Sequence, residues 1–205
     1  MIAIATGIEA ADRGEDRLAV HRTATGAVLV VADGAGGVGG AAVAAQSVCD
    51  VIMGCTEQGV TGNPLVWSNA LRSADLALAS ASHGGLTTAV VVEVNGTSIC
   101  GASVGDSGVW AISESGILDI TAGQSRKPLL GSGTAQPVSF GPLQARGRLM
   151  VASDGILKYA PREKLASCAL AGPVEDAVVR LIGAVRLRSG RLQDDVAVIL
   201  CELPS

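Results

Sequence analysis

Acidic residues at the ends of apolar runs are the side chains in this sequence with the clearest capacity for chemistry. An apolar run that ends in Asp and a small residue occurs three times, as VLVVAD before Gly34, CGASVGD before Ser107 and LMVASD before Gly155. Two acidic pairs, Glu15-Asp16 and Asp194-Asp195, directly precede the apolar runs RLAV and VAVIL. One Asp-Gly pair alone is typical of an ordinary turn. Five acidic positions at strand ends, in a chain with 17% charged residues, favour a common site.

Such a site would require cations. Carboxylates that converge repel one another unless positive charge is present, and Mg²⁺ or Mn²⁺ take oxygen ligands of this kind. A glycine after the aspartate lets the backbone carbonyl turn inward as a further ligand, because no Cβ obstructs the approach. Acidic turns without any bound ion are the alternative interpretation.

The glycine-rich stretch VLVVADGAGGVGGAA offers a competing interpretation, because Gly34, Gly36 and Gly39 have the G-x-G-x-x-G spacing. A dinucleotide-binding fingerprint also needs an acidic residue about 20 positions on, at the end of a second strand. Here the predicted helix is followed by CTEQGVTGNP and another helix, so Glu57 stands in a loop. Asp33 also places a carboxylate where a pyrophosphate would lie. The context therefore argues against nucleotide binding and makes Asp33 the informative residue.

Composition narrows the function further. The net charge of −4 and the scarcity of aromatic residues (two Trp, one Tyr and one Phe) argue against nucleic-acid binding. The five cysteines show no C-x-x-C pattern, and the N-terminus has no basic leader. The apolar runs are too short to cross a bilayer. Together these features predict a cytoplasmic protein that is not in the membrane. With only His21 and His83, a His-rich zinc site or a Ser-His-Asp site has little material.

Periodicity predicts an α+β protein. Strands are expected at 2–8, 17–21, 27–32, 88–94, 97–104, 108–112, 148–152 and 196–201, and helices at 40–55, 64–82, 161–170 and 173–188. Asn95-Gly96 is expected to form a two-residue type I′ hairpin turn. Residues 121–147 are rich in Gly, Ser and Pro and are expected to form an ordered loop region. Two helix pairs within a mostly antiparallel β protein favour α+β layers over βαβ winding.

Several motifs, taken in their order along the chain, resemble a known family. Their order and spacing resemble those of the bacterial form of the type 2C metal-dependent protein serine/threonine phosphatases. The motifs are VVADGAGG, then GGLTTAVVV followed by ASVGDSG, then LMVASDGIL and QDDVAVIL. The resemblance spans positions 15–200. It implies two packed, mostly antiparallel β-sheets flanked by antiparallel helix pairs. It also implies one catalytic domain over residues 1–205.

The resemblance assigns roles to the acidic residues. Asp33 would bridge two Mg²⁺ or Mn²⁺ ions, Gly34 would give its carbonyl to one of them, and Asp154 and Asp194 would bind the other. Asp16 would act directly or through water. A water bridging the ions would attack phosphorus in line, with no phosphoenzyme and no cysteine nucleophile. Asp33, Asp154 and Asp194 are thus the expected catalytic set.

Asp106, in the Gly-Asp-Ser motif, matches the residue that contributes to a third, weaker metal site in bacterial members. Asp195 stands where the family has Asn, and it would deepen the negative cluster or bind a further cation. Gly108 stands where the family motif has Arg, and Leu86 stands where Gly is usual. At Ala35 the chain lacks the histidine that some eukaryotic members use as a general acid.

The phosphate-binding arginine of the family, four residues before the Glu of the Glu-Asp pair, is replaced by Ala11. Arg13 and Arg17 are the nearest candidates to bind the substrate phosphate, and solvated surface charge is the alternative for both. The chain has little room for the mobile flap of the bacterial members, so the flap is expected to be shortened. The segment 123–133 is expected to stand in for it, with Arg126 and Lys127 as candidate contacts for a phosphorylated partner.

The leading hypothesis is a phosphoserine/phosphothreonine phosphatase that depends on two, or three, Mg²⁺ or Mn²⁺ ions. Its partner would be a phosphorylated protein, either a Ser/Thr kinase or its target. Two alternatives remain open. One is a weakly active or non-catalytic regulatory member of the fold that binds a phosphoprotein or kinase; the other is a metal-dependent hydrolase of a small phosphorylated metabolite.

Overall fold

A computed structural model describes residues 2–35, 39–56, 59, 62–81 and 84–204 of the chain. Four residues considered above, Gly36, Gly37, Glu57 and His83, lie outside the described residues. No helix in the described ranges is both long and apolar enough to span a membrane.

Twelve strands and five helices are present in the described part of the chain. The strands are β1 (Ile4–Glu9), β2 (Arg17–Arg22), β3 (Gly26–Ala32), β4 (Gly34–Ala35), β5 (Leu86–Thr87), β6 (Ala89–Asn95), β7 (Ser98–Val104), β8 (Gly108–Ser113), β9 (Gly116–Asp119), β10 (Val138–Gln144), β11 (Arg148–Ala152) and β12 (Val196–Glu202). The helices are α1 (Ala41–Thr56), α2 (Pro64–Ser80), α3 (Asp154–Leu157), α4 (Arg162–Leu170) and α5 (Val174–Val185).

The strands form two five-stranded antiparallel sheets. One has the order β1-β12-β11-β8-β9 and the other the order β10-β7-β6-β3-β2, while β4 and β5 make a separate two-stranded ladder. Helices α4 and α5 pack on the first sheet, and α1 and α2 pack on the second. The result is a helix–sheet–sheet–helix sandwich, as expected from the sequence.

Strand β3 shows why the apolar runs are continuous rather than alternating. All seven of its residues are buried. Val28 and Val30 point into the core beneath α1 and α2, whereas Leu29 and Val31 point into the core between the two sheets. Successive side chains of a strand face opposite sides, so a strand that is covered on both sides is apolar at every position.

Strand β12 has the same arrangement in the other sheet. Val198 and Leu200 pack beneath α4 and α5, and Ala197 and Ile199 pack between the sheets. The inner strands are therefore fixed from both sides, and the residues that follow or precede them inherit that rigidity.

The hairpin between β6 and β7 is confirmed, but its turn type is not the expected one. Asn95 ends β6 and pairs with Ser98, so Gly96 and Thr97 are the two central residues. Gly96 has a φ of 60°, and no non-glycine residue in the described ranges has a positive φ. A type I′ turn needs positive φ at both central positions. Glycine at the first position alone matches type II′ instead.

The expectation of a loop over residues 121–147 is wrong for its second half, which contains β10. This strand pairs with β7 at the edge of the sheet, and its register shifts between Phe140 and Leu143, across Gly141-Pro142. Glycine and proline reduce the strand signal in the sequence, yet both are tolerated at a bulge on an edge strand. Likewise α5 ends at Val185, three residues before its expected end.

Asp75 of α2 attaches the segment after residue 129 to the body of the protein. Its side chain is 1% exposed. The carboxylate accepts the backbone N–H groups of Gly131 (2.8 Å), Gly133 (2.9 Å) and Ala135 (3.0 Å). Leu130, directly before Gly131, exchanges two backbone hydrogen bonds with Thr87.

We expect Asp75→Ala to lower the free energy of unfolding by about 3 kcal/mol, because three buried or half-buried backbone donors lose a charged acceptor. Urea denaturation measures the change. Asp50→Ala is the matched control, since Asp50 is an exposed helical aspartate that accepts a hydrogen bond from Gln46, and we expect a change within about 0.5 kcal/mol. Equal unfolding midpoints for the two variants would contradict the role of Asp75.

Candidate metal centre

The acidic residues at strand ends converge on one open cavity of about 900 Å³. Asp33 follows β3, Asp106 follows β7, Asp154 follows β11, and Asp194 precedes β12. Since β11 and β12 are antiparallel neighbours, the end of one lies beside the start of the other. The acidic residues that line the cavity are Asp12, Glu15, Asp33, Asp106, Asp154, Asp194 and Asp195.

The backbone of Asp33 is fixed by two threonines. Its carbonyl accepts the N–H of Thr88 (2.8 Å) and the hydroxyl of Thr87 (2.9 Å). Its N–H donates to the hydroxyl oxygen of Thr88 at 3.1 Å. The Thr88 hydroxyl also lies 2.7 Å from that of Ser107, next to Asp106. These contacts hold the Asp33 carboxylate at the cavity and couple it to the end of β7.

Gly34 cannot be replaced by a larger residue without movement. A Cβ there would lie 2.7 Å from the carbonyl of Ala41 and 3.0 Å from the carbonyl of Glu15. Gly34 is buried and pairs with Thr87 in the β4–β5 ladder. The glycine is thus required for the close approach between the Glu15-Asp16 loop and the start of α1.

Charge repulsion is concentrated on Asp33. Burial raises its pKa to about 9, together with the negative charges of Asp16, Asp154, Asp194 and Asp106, in that order. The carboxyl group of Asp33 in the polypeptide alone is therefore held in its protonated form at neutral pH. A bound cation would reverse this effect, because positive charge beside the group favours the ionised form.

Asp16 is the most deeply buried of these acids, at 2% exposure. Burial raises its pKa to about 6, although a hydrogen bond from the Ser153 hydroxyl to Oδ2 (2.7 Å) opposes the shift. The other oxygen, Oδ1, is buried and has no hydrogen-bond donor among the described residues. A buried carboxylate oxygen without a donor is costly unless an ion or water contacts it.

Asp154 and Asp194 lie at the outer side of the group. Asp154 is half-buried and forms an ion pair with Lys158, whose Nζ lies 3.0 Å from Oδ2. Asp194 is exposed, and partial desolvation and the charge of Asp154 raise its pKa. The hydroxyl of Tyr159 lies 3.4 Å from Asp194 Oδ2.

Asp195 lies at the cavity and also makes backbone contacts that the sequence did not indicate. Its two carboxylate oxygens accept the backbone N–H groups of Ala11 (2.7 Å), Asp12 (3.4 Å) and Glu15 (2.6 Å). The carboxylate is thus already engaged with the loop before β2. Its negative charge still raises the pKa of Asp16, so it contributes to the negative cluster while it organises that loop.

The two arginines proposed for substrate binding lie in different environments. Arg13 is exposed and lines the cavity. The Arg17 guanidinium instead donates to the carbonyls of Gly14 (2.8 Å) and Asp16 (2.6 Å). Arg126 and Lys127, from the segment expected to replace the flap, also line the cavity. Positive side chains therefore reach the acidic site from two separate loops.

The donor chemistry of the cavity fits hard divalent cations. Several carboxylates and Gly34, a glycine at a backbone close approach, line it. Asp16 does not line the cavity, but its charge acts on Asp33 and its Oδ1 is buried without a hydrogen-bond partner. In the described residues, no three Asp, Glu, His or Cys side chains approach closely enough to enclose an ion on their own. The carboxylates surround an open space, and water or phosphate oxygens would complete the coordination of an ion there, as is usual for Mg²⁺.

Sequence reasoning missed the polar residues that support the acids. Thr87 and Thr88 were quoted within a motif, and Ser153 lies within Ala-Ser-Asp-Gly, but none was given a role. Their roles depend on partners between 54 and 137 positions away along the chain. The available signal was their position at an end of an apolar run: Thr88 directly precedes AVVV, and Ser153 directly precedes Asp154.

Comparison with solved structures identifies the fold as that of the bacterial PP2C-type serine/threonine phosphatases. A structure described as bacterial serine phosphatase gives a TM-score of 0.87 at 21% identity, covering 100% of this chain and 99% of that one. Stp1 from Staphylococcus aureus gives 0.87 at 21% identity, covering 100% and 96%. The catalytic domain of PstP, described in complex with two manganese ions, gives 0.81 at 21% identity, covering 98% and 97%. At these identities the likeness concerns the fold.

The family follows from the sequence itself. The profile of the family described as Stage II sporulation protein E (SpoIIE) matches residues 23–204. The chain therefore belongs to this PP2C-like family, as the motifs indicated. No curated protein matches the chain in sequence.

We expect Mn²⁺ to raise the thermal unfolding temperature of the chain by about 5–10 °C at a concentration about 100 times its Kd, because the ion binds only the folded state. Asp33→Asn should raise this temperature when a chelator is present, since the amide is neutral in both states, whereas the native carboxyl group is ionised in the unfolded chain and has to be protonated on folding. The same substitution should abolish most of the gain from Mn²⁺. Differential scanning fluorimetry measures both effects.

Glu114→Gln is the matched control, because Glu114 is exposed in the turn between β8 and β9, at the end of β8 opposite to Asp106. This variant should respond to chelator and Mn²⁺ as the native chain does. A native chain that shows no Mn²⁺ response would contradict the cation site.

Proposed function

We propose that the chain is a divalent-cation-dependent phosphatase that hydrolyses phosphoserine and phosphothreonine in proteins. The observation that supports this most directly is the half-buried Asp33, surrounded by the charges of Asp16, Asp106, Asp154 and Asp194 at an open cavity. The family and the fold agree with it. Its partner would be a phosphorylated protein, either a Ser/Thr kinase or the target of one.

Asp33, Gly34, Asp154 and Asp194 would hold a pair of Mg²⁺ or Mn²⁺ ions, with Asp16 behind them and Asp106 available to a third. The PstP structure, described with two manganese ions, supports this number and kind of ion. Such ions would lower the pKa of bound water and neutralise phosphoryl oxygens. The threonine contacts that fix Asp33 keep the carboxylate in place without reorganisation during the reaction.

The cationic side chains of the cavity would hold the phosphoryl group. Arg13, Arg126 and Lys127 line the same cavity as the carboxylates, and guanidinium and ammonium groups bind phosphate by charge-assisted hydrogen bonds. Because the three are exposed and come from two loops, they can contact the phosphate and the flanking polypeptide together.

A cysteine nucleophile is not available to this chemistry. Burial raises the pKa of Cys49 and Cys201 to about 12 and that of Cys100 to about 11. Thiols in this state are poor nucleophiles, since the thiolate is the reactive form. No cysteine or histidine lines the cavity among the described residues. We therefore propose water as the nucleophile, with the carboxylates to organise it.

We expect purified protein with Mn²⁺ to hydrolyse p-nitrophenyl phosphate and a phosphothreonine peptide. Asp33→Asn and Asp154→Asn should each lower kcat/KM by about two orders of magnitude or more, because each removes a charged ligand of the proposed ions. Glu114→Gln serves as the control. Unchanged turnover in both aspartate variants would refute the assignment of these residues.

Arg13→Ala should raise KM for a phosphopeptide about tenfold, because it removes one charge-assisted contact to the phosphate. Steady-state kinetics measure the change, with kcat reduced less than KM is raised. Arg188→Ala, which removes an exposed arginine after α5, is the matched control and should leave KM unaltered. The same KM for both variants would show that Arg13 belongs to the solvated surface.

Two features support a second candidate, a weakly active regulatory protein that binds a phosphoprotein. Lys158 already pairs with Asp154 at 3.0 Å and would compete with an ion there. The position of the usual phosphate-binding arginine holds Ala11, whose N–H is bound to Asp195. Measurable binding of a phosphopeptide without turnover in Mn²⁺ would favour this candidate over the first.

A further inference from the structure

A second cavity, of about 550 Å³, adjoins the acidic one. Leu86, Pro128 and Leu129 make its wall largely apolar, and Ala35, Lys127 and Leu129 line both cavities. The two are therefore neighbouring parts of one cleft, acidic at one end and apolar at the other. The apolar part has no function in the chemistry described above.

The walls of this apolar part are built into the fold. Thr87, directly after Leu86, exchanges two backbone hydrogen bonds with Leu130, directly after Leu129. A Cβ on Gly131 would lie 2.2 Å from the carbonyl oxygen of Gly85, so the two segments are in close backbone contact. The Asp75 carboxylate holds the same segment from the side of α2. The leucines on either side are thus held in place before any ligand arrives.

Leu86 remains exposed despite this support. It is 42% exposed beside a polar site, and exposed apolar area gains free energy when a ligand covers it. Because the two cavities share three lining residues, a molecule bound in the acidic cavity can extend directly into the apolar one. Lys127, one of the three, stands between the apolar wall and the position proposed for the phosphate.

We propose that the apolar part of the cleft binds an apolar side chain next to the phosphorylated residue of the substrate polypeptide. The proposal rests on the proposed function and narrows its substrate class to phosphoproteins with an aliphatic residue beside the phosphorylated Ser or Thr. A polypeptide is the occupant that supplies both a phosphate and an adjoining aliphatic group in one chain. Leu86 and Leu129 then determine specificity, and Arg13, Arg126 and Lys127 bind the phosphate.

The test compares phosphothreonine heptapeptides in the presence of Mn²⁺. A reference peptide has Ser at every flanking position, and six further peptides each have one Leu in place of one of these Ser residues. Leu at one of these positions should raise kcat/KM about tenfold for the native chain, which corresponds to about 1.4 kcal/mol. In Leu86→Ser, the ratio of kcat/KM for that Leu peptide to kcat/KM for the reference peptide should fall to about 2 or less.

Two variants make the comparison specific. Leu86→Met keeps an apolar side chain of similar volume and should retain the preference. Leu118→Ser removes a leucine of similar exposure on β9 and should retain it as well. The readout is the ratio of kcat/KM between two peptides for the same variant. A loss of activity that affects all peptides equally therefore does not change it.

Hydrolysis of p-nitrophenyl phosphate separates this proposal from the proposed function. If the native chain hydrolyses neither that substrate nor any peptide, the proposed function fails, and the peptides are then compared by fluorescence anisotropy as ligands. Preference for a Leu peptide that is lost in Leu86→Ser supports the apolar site in either readout. Equal values for all peptides, or a preference that survives in Leu86→Ser, would overturn it.

Discussion

Repulsion among buried and half-buried carboxylates is the constraint around which this protein is organised. Asp33 has the charges of four other aspartates near it, and burial removes the water that would screen them. A chain would relieve this repulsion by moving the side chains apart if the backbone allowed it. The backbone does not allow it, because the acids begin or end strands that are packed on both faces. The free energy gained in the three apolar cores thus maintains an unfavourable arrangement at one end of the sandwich.

Support for the acids comes from contacts that bring no positive charge to their carboxyl groups. The hydroxyls of Thr87 and Thr88 bind the backbone of Asp33 and not its carboxylate. Ser153 donates to one oxygen of Asp16 and leaves the other without a donor. Had each carboxylate been paired with an arginine, the repulsion would vanish and so would the basis of the proposed cation binding. Lys158 beside Asp154 is the exception, and its side chain is 60% exposed, so water screens the pair.

The positions of the acids could be predicted from the sequence because the signal is local. A continuous apolar run predicts a strand covered on both faces, and an Asp directly beside it has to lie at a sheet end. Asp33, Asp154 and Asp194 were located in this way, and the family motifs gave them roles. The bonding of Asp195 was not predictable, since the loop around Ala11 that it binds lies more than 180 positions away in sequence. Strand β10 was missed for a related reason: its pairing with β7 overrides the weak preference of a sequence that contains Gly141 and Pro142.

The long-range contacts of Asp195 lie where the chain departs from its family, near the site proposed for the phosphate. Ala11 takes the place of the usual arginine, and Asp195, where the family has Asn, binds the N–H of Ala11, Asp12 and Glu15. The two departures face each other. In this chain the Asp195 carboxylate holds the loop through backbone hydrogen bonds, whereas the family presents an arginine side chain from the same loop. Positive charge then enters the cavity from Arg13 on that loop and from Arg126 and Lys127 on the segment that Asp75 and Thr87 fix in place. That second segment also forms the apolar wall at Leu129. The proposed phosphate contact and the proposed selectivity for the residue next to the phosphorylated Ser or Thr therefore depend on the same element. A substrate has to fit both parts of the cleft together.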